Sequence, residues 1–178
     1  VNMLIPMLAH GSEIRHTLAL IDHARAELDN RGAVYGPVKI GAMIEIPAAA
    51  PLVKMFLRYF DFLSIGTNDL IQYPPAIDRA DESVAHLYDP LHPAVLGLVA
   101  DTIAECRRQG KSVSVCGEMA GDTSMTRLLI GLGLRSFSMH PSQILAVKQQ
   151  ILRCDTQRLQ AWAQNVLAAD DPAAVMAD

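Results

Sequence analysis

Short apolar runs, each leading into an amphipathic segment, succeed one another along the chain, and that alternation restricts the folds open to it. Met3 to Leu8 reads as a buried strand, and Ser12 predicts the N-cap of a helix through about Asn30, stopped by Gly32. Lys39 to Ile46 reads as a second strand, ended by Pro47, which suits the first turn of a helix over Ala48 to Tyr59. Phe60 to Ile65 is a third strand, closed by Gly66. From Thr67 to Pro93 the chain reads as a long irregular connection with Pro74, Pro75, Pro90 and Pro93 as breakers. Connections of that length are uncommon unless they carry function. A helix over Ala94 to Gln109 then leads to a strand at Ser112 to Val115, and a helix over Thr123 to Leu132 leads to a short fifth strand at Ser136 to Met139. Helices over Ser142 to Arg153 and Thr156 to Ala168 complete the pattern.

Five strand–helix units in series predict an α/β fold with a parallel sheet, either doubly wound or part of a (β/α)8 barrel. Both architectures bind ligands at the C-terminal ends of their strands. Polar residues collect at those ends: Glu45 after the second strand, Asn68 and Asp69 after the third, Cys116 and Glu118 after the fourth. That clustering points to an active site more strongly than any single residue does.

Length and composition narrow the classes further. A chain of 178 residues with 51% hydrophobic and 5% aromatic residues fits one aliphatic domain able to bury a sizeable core. A net charge of −4 supplies no basic stripe for nucleic acid or an anionic membrane surface. No apolar run reaches the ~20 residues of a membrane span, and a cytoplasmic protein is expected. Cys106, Cys116 and Cys154 are too scattered for a disulfide framework or a zinc site, in keeping with reduced thiols. The opening Val1-Asn2-Met3-Leu4-Ile5 is already strand-like, so the chain is expected to be a piece of a longer protein.

Each candidate residue has a functional and a bland reading. Cys116, in Val113-Ser114-Val115-Cys116-Gly117-Glu118, is delivered by a strand into a Gly-rich turn where a ligand can reach it; the alternative is a small core residue. Glu45 is an acid inside the apolar run Ile44-Glu45-Ile46, where burial is costly unless the carboxylate is paired or metal-bound. Asp69, in Gly66-Thr67-Asn68-Asp69, is either a helix cap or the second carboxylate of a half-shell for Mg2+. Arg79 either forks onto a phosphate or pairs with Asp78 or Asp81.

Several segments resemble one family. They are Gly41-Ala42-Met43-Ile44-Glu45-Ile46-Pro47-Ala48-Ala49, Ser64-Ile65-Gly66-Thr67-Asn68-Asp69-Leu70-Ile71-Gln72-Tyr73, Ala76-Ile77-Asp78-Arg79, His86-Leu87-Tyr88-Asp89-Pro90-Leu91-His92-Pro93 and Cys116-Gly117-Glu118-Met119-Ala120-Gly121-Asp122. In order and spacing they resemble the phosphoenolpyruvate (PEP)-binding domain of Enzyme I, the PEP–protein phosphotransferase of bacterial sugar or nitrogen phosphotransferase systems. The resemblance runs from about Met3 to Ile151. Pyruvate phosphate dikinase and PEP synthase share its Thr-Asn-Asp and Cys-Gly themes, and a non-catalytic PEP-sensing or oligomerisation module is a further alternative. The Leu-Tyr-Asp-Pro run favours Enzyme I.

The resemblance implies a (β/α)8 barrel that binds PEP and Mg2+ and acts as a homodimer. Phosphoryl passes from PEP to a histidine on a separate N-terminal domain, and from there to a small phosphocarrier protein. By motif match, Glu45 and Asp69 are metal ligands, Asn68, Asp69 and Arg79 contact PEP, and Cys116 is the catalytic acid that protonates the pyruvate enolate.

Three departures accompany the match. A full barrel takes about 250 residues, so the first three strands and the phosphate-binding arginines they carry in the family are not matched here. None of the 6 histidines stands in a Gly-rich, Thr-Ser-His-type acceptor context, and the chain by itself is expected to be inactive. Tyr73-Pro74-Pro75-Ala76 replaces the family's usual Tyr-Thr-Leu-Ala, which removes two N–H donors from the loop leading to Arg79. Unpaired edges of a five-stranded piece are expected to lead to self-association or to a rearranged edge.

Overall fold

The structure is a computed structural model and describes residues 1–78 and 80–177. Four parallel strands form one sheet: β1 (Asn2–Ile5), β2 (Lys39–Ile44), β3 (Phe62–Gly66) and β4 (Ser112–Cys116). Their spatial order is their chain order, with Gly41 opposite Phe62, Met43 opposite Ser64, and Ser64 opposite Ser114. A doubly wound sheet reverses direction at a switch point. This one does not, and its strands succeed one another as adjacent staves of a (β/α)8-type barrel that the sheet leaves open.

The strands are joined by α1 (Gly11–Asn30), α2 (Val53–Tyr59) and α4 (Pro93–Arg108), while α6 (Thr123–Gly131) follows β4. Two short helices sit directly on strand ends, α3 (Thr67–Gln72) after β3 and α5 (Glu118–Gly121) after β4. The C-terminal part adds α7 (Ile144–Leu152), α8 (Thr156–Leu167) and α9 (Pro172–Ala177). Alternation along the strands sends Ala42, Ile44, Leu63, Ile65 and Val115 into the helical layer, where each is fully buried. There they join Phe56 and Phe60, whose ring centroids lie 6.0 Å apart, and Val95, Leu96, Val99 and Ile103 of α4. The opposite face carries Gly41, Met43, Phe62, Ser64, Ser112 and Ser114, with Phe62 lying over Gly41.

Several sequence expectations are corrected. The first strand stops at Ile5 rather than Leu8, because Pro6 has no N–H and Met7 turns into the left-handed region (φ 59°). His10, not Ser12, caps α1: its ring accepts the Ser12 N–H at 3.1 Å, and Glu13 answers through the His10 N–H at 2.9 Å. The segment over Ala48 to Tyr59 opens as a 3-10 turn, Ala50–Leu52, with Pro51 in its first turn, before α2 begins at Val53. The connection from Thr67 to Pro93 is not irregular throughout, since it holds α3 and a 3-10 turn at Ala85–Leu87.

The fifth strand shrinks to one bridge, Val115 to Phe137, with Val115 N donating to Ser136 O and Ser138 N to Val115 O. The bridge lies between the left-handed turn at Gly133 (φ 102°) and the 3-10 turn Pro141–Gln143. The proline pair Pro74-Pro75 sits in the turn that follows α3. Ile77 N donates to Gln72 O and Ala76 N to Tyr73 O, a Schellman closure with Ala76 at φ 55° in the place glycine usually takes.

Candidate active site

The C-terminal edge of the sheet brings together the residues singled out in the sequence. Glu45 follows the last residue of β2, Cys116 is the last of β4, and Asn68 and Asp69 stand in the first turn of α3 directly after β3. Arg79 lies outside the described residues.

Glu45 is only 4% exposed. It accepts the Met7 N–H at 2.6 Å, a bond made possible by the left-handed turn at Met7. Burial pushes the Glu45 carboxyl up from the usual carboxylate range. The Met7 N–H pulls it back, and the adjacent Asp69 carboxyl, within hydrogen-bonding contact, pushes it up again. Among the described residues no Lys or Arg is bonded to Glu45.

Cys116 is half-buried, and its S–H donates to Ile65 O at 3.4 Å. Burial raises its thiol above the ordinary range; the Ser64 hydroxyl at 3.5 Å opposes this, and the Glu45 and Asp69 charges add to the rise. Glu45, Asp69 and Cys116 therefore act on one another electrostatically across the end of β3.

The loop after Cys116 is fixed from α3. Thr67, fully buried, donates its hydroxyl to Cys116 O at 2.8 Å, and Asn68 Oδ1 accepts the Glu118 N–H at 2.9 Å. Gly117 sits between them at φ 95°, where a β-carbon would come within 2.6 Å of Thr67 Oγ1 and 2.7 Å of Asn68 Oδ1. Thr67 and Met7 were not singled out from sequence. Thr67 lay inside the quoted Gly66-Thr67-Asn68-Asp69 run, whereas Met7 contributes a backbone N–H that leaves no side-chain signal. The histidines serve elsewhere: His10, His92 and His140 each accept a backbone N–H at a helix or 3-10 N-terminus.

A family model for the PEP-binding domain of PEP-utilising enzymes matches residues 1–156. The chain belongs to this family. The PEP-binding domain is 65% identical over 173 residues to a phosphoenolpyruvate-protein phosphotransferase of Cupriavidus necator, covering 97% of this chain and 30% of the relative. It is 42% identical over 168 residues to that of Streptococcus equinus (94% and 29%) and 38% identical over 178 residues to that of Bacillus subtilis (99% and 31%). The PEP-binding domain thus spans about 30% of the length of these curated relatives. Among solved structures, a citrate lyase from Burkholderia xenovorans LB400 superposes with a TM-score of 0.58 at 22% identity, over 93% of this chain and 52% of that one. At that identity the likeness concerns the fold alone. No helix among the described residues is long and apolar enough to cross a membrane.

Proposed function

We propose that this domain binds PEP with Mg2+ as part of a PEP–protein phosphotransferase, and that Cys116 supplies the proton that converts the departing enolate to pyruvate. One observation carries the reading: two carboxylates and a thiol converge at a single sheet edge. The reaction class rests on the names of the relatives.

The donor set suits Mg2+, which takes oxygen ligands and is commonly held by one or two carboxylates with substrate oxygens completing its shell. Glu45 and Asp69 are both carboxylates, and burial first, with the Asp69 charge adding to it, pushes the Glu45 carboxyl up, as fits a place short of positive charge. No group of three or more His, Cys, Asp or Glu side chains forms a metal cage among the described residues, so a site sharing its ion with substrate fits better than a closed structural one. Held by Glu45 and Asp69, such an ion would supply the electrostatic stabilisation that phosphoryl transfer from PEP needs.

The proton step is the work of Cys116. Transfer of the phosphoryl group to an acceptor histidine breaks the P–O bond and leaves its electron pair on pyruvate as the enolate. The C3 carbon takes the S–H proton, forming a C–H bond and leaving a Cys116 thiolate that regains a proton from water. A thiol raised by burial and by two carboxylates stays protonated at neutral pH, the form that can donate. Asn68 has its carbonyl committed to Glu118, so it would meet PEP through its amide nitrogen. Arg79 is assigned to the phosphate by its motif alone. The acceptor histidine on another domain, the phosphocarrier and the homodimer belong to the same proposal.

Calorimetry of PEP binding to a phosphotransferase carrying this segment tests the metal assignment. Binding that requires Mg2+ and is lost in Asp69→Asn is expected; equal binding with the ion chelated would contradict it.

A further inference from the structure

Resting on the reading of Cys116 as the proton donor, a second layer of residues beneath the thiol becomes informative. The interior of a parallel barrel is ordinarily filled by bulky branched side chains. Here Ser64 and Ser114 stand opposite each other in that row, one step below Cys116, with Met43 beside them on β2. Ser64 is only 3% exposed. A hydroxyl in such a place is costly unless it is bonded. Its bonds run in one direction: Ser114 Oγ donates to Ser64 Oγ at 3.0 Å, and Ser64 Oγ donates to Cys116 Sγ at 3.5 Å.

We propose that Ser64, oriented by Ser114, is a positioning residue that holds the Cys116 sulfur toward the strand-end site and supports it once its proton has left. The bond from Ser114 occupies the Ser64 oxygen as acceptor and leaves the Ser64 hydrogen for the sulfur. The thiol hydrogen meanwhile rests on Ile65 O at 3.4 Å, at the level of the sheet edge. When that hydrogen moves to C3, the sulfur keeps the bonding pair and becomes a thiolate. Gly66, opposite Cys116 on β3, offers it no side chain. Among the described residues the Ser64 hydroxyl is the side-chain donor aimed at the sulfur. Ser64 neither touches substrate nor transfers the proton, which returns to sulfur from water.

Iodoacetamide labelling of the three cysteines, read by peptide mass spectrometry at mildly alkaline pH, tests this on the chain as it stands. Ser64→Ala should slow Cys116 labelling about tenfold or more, the worth of one lost hydrogen bond to a charged group. Ser64→Thr should restore it, Ser114→Ala should slow it less, and Cys154 should be unaffected in all three. Equal Cys116 labelling in the parent and Ser64→Ala overturns the proposal. If Ser64→Ala unfolds, buried Cys106 becomes labelled, and Ser114→Ala then decides: slowed Cys116 labelling supports the proposal and unchanged labelling overturns it. In a phosphotransferase carrying the segment, Ser64→Ala should lower kcat with the KM for PEP unchanged. Slowed labelling with a normal kcat would leave Ser64 as the support of the sulfur and instead contradict Cys116 as the acid.

Discussion

Gly66 stands so close to Glu45 that a β-carbon on the glycine would lie 2.9 Å from both Cβ and Oε2 of the glutamate. Its backbone, at φ −87°, would accept any residue, so the glycine is required for space and not for conformation. The absence of a side chain at Gly66 is what lets the Glu45 carboxylate, just past the end of β2, reach across toward Asp69.

Gly66→Ala should therefore displace Glu45 and strain Met43, whose Sδ is also 2.9 Å from the new carbon. We expect a loss of about 1–3 kcal/mol in stability, the usual cost of overpacking a filled site. Urea denaturation measures it. An unchanged midpoint would mean that Glu45 moves aside freely.

Thiol chemistry separates the three cysteines. Cys106 is fully buried, and burial pushes it up to about 12, so it should resist alkylation while the chain is folded. Cys154 lines a cleft with Arg127, Arg153 and Arg158 and should react first. Cys116 should lag behind it and accelerate only above the ordinary thiol range of ~8.5. The same shifts give a stability trend. Unfolded, Cys106 and Cys116 ionise near ~8.5, while in the fold both hold their protons to higher pH, so the unfolded state binds fewer protons and stability falls as pH climbs above ~8.5. Unfolding followed at increasing alkaline pH checks the direction; rising stability there would contradict it.

Ala76 occupies a left-handed position that closes α3. Ala76→Gly should raise stability by about 1 kcal/mol by removing the β-carbon penalty, somewhat offset by the entropy of glycine in the unfolded chain. A decrease in thermal midpoint would show that the turn is held by something other than its backbone geometry.

Much of this was legible in the sequence, for identifiable reasons. Strand-to-helix alternation and the polar residues at the strand ends placed Glu45, Asn68, Asp69 and Cys116 on one edge, because in a parallel sheet every such residue comes to the same side. The family's motifs added roles that spacing alone left open. Element ends were less legible: Pro6, Pro51 and the Gly133–Pro141 stretch act through missing N–H groups and backbone turns, which hydrophobic patterning does not register. His10 as a cap was hidden because histidine is not a usual N-cap, and its ring stands in for the expected serine. Met7 works through its amide alone, and Ser64 and Ser114 become meaningful only when the register sets them side by side.

The central claim is that Cys116 protonates the enolate beside carboxylates that hold the cation. Phosphoryl transfer from PEP and PEP binding, measured together in a phosphotransferase carrying this segment with Cys116 intact or replaced by Ala, test it most directly. Cys116→Ala should lower turnover by about a hundredfold or more, the scale of a lost acid catalyst, with PEP affinity retained. Near-normal turnover in Cys116→Ala would contradict the account.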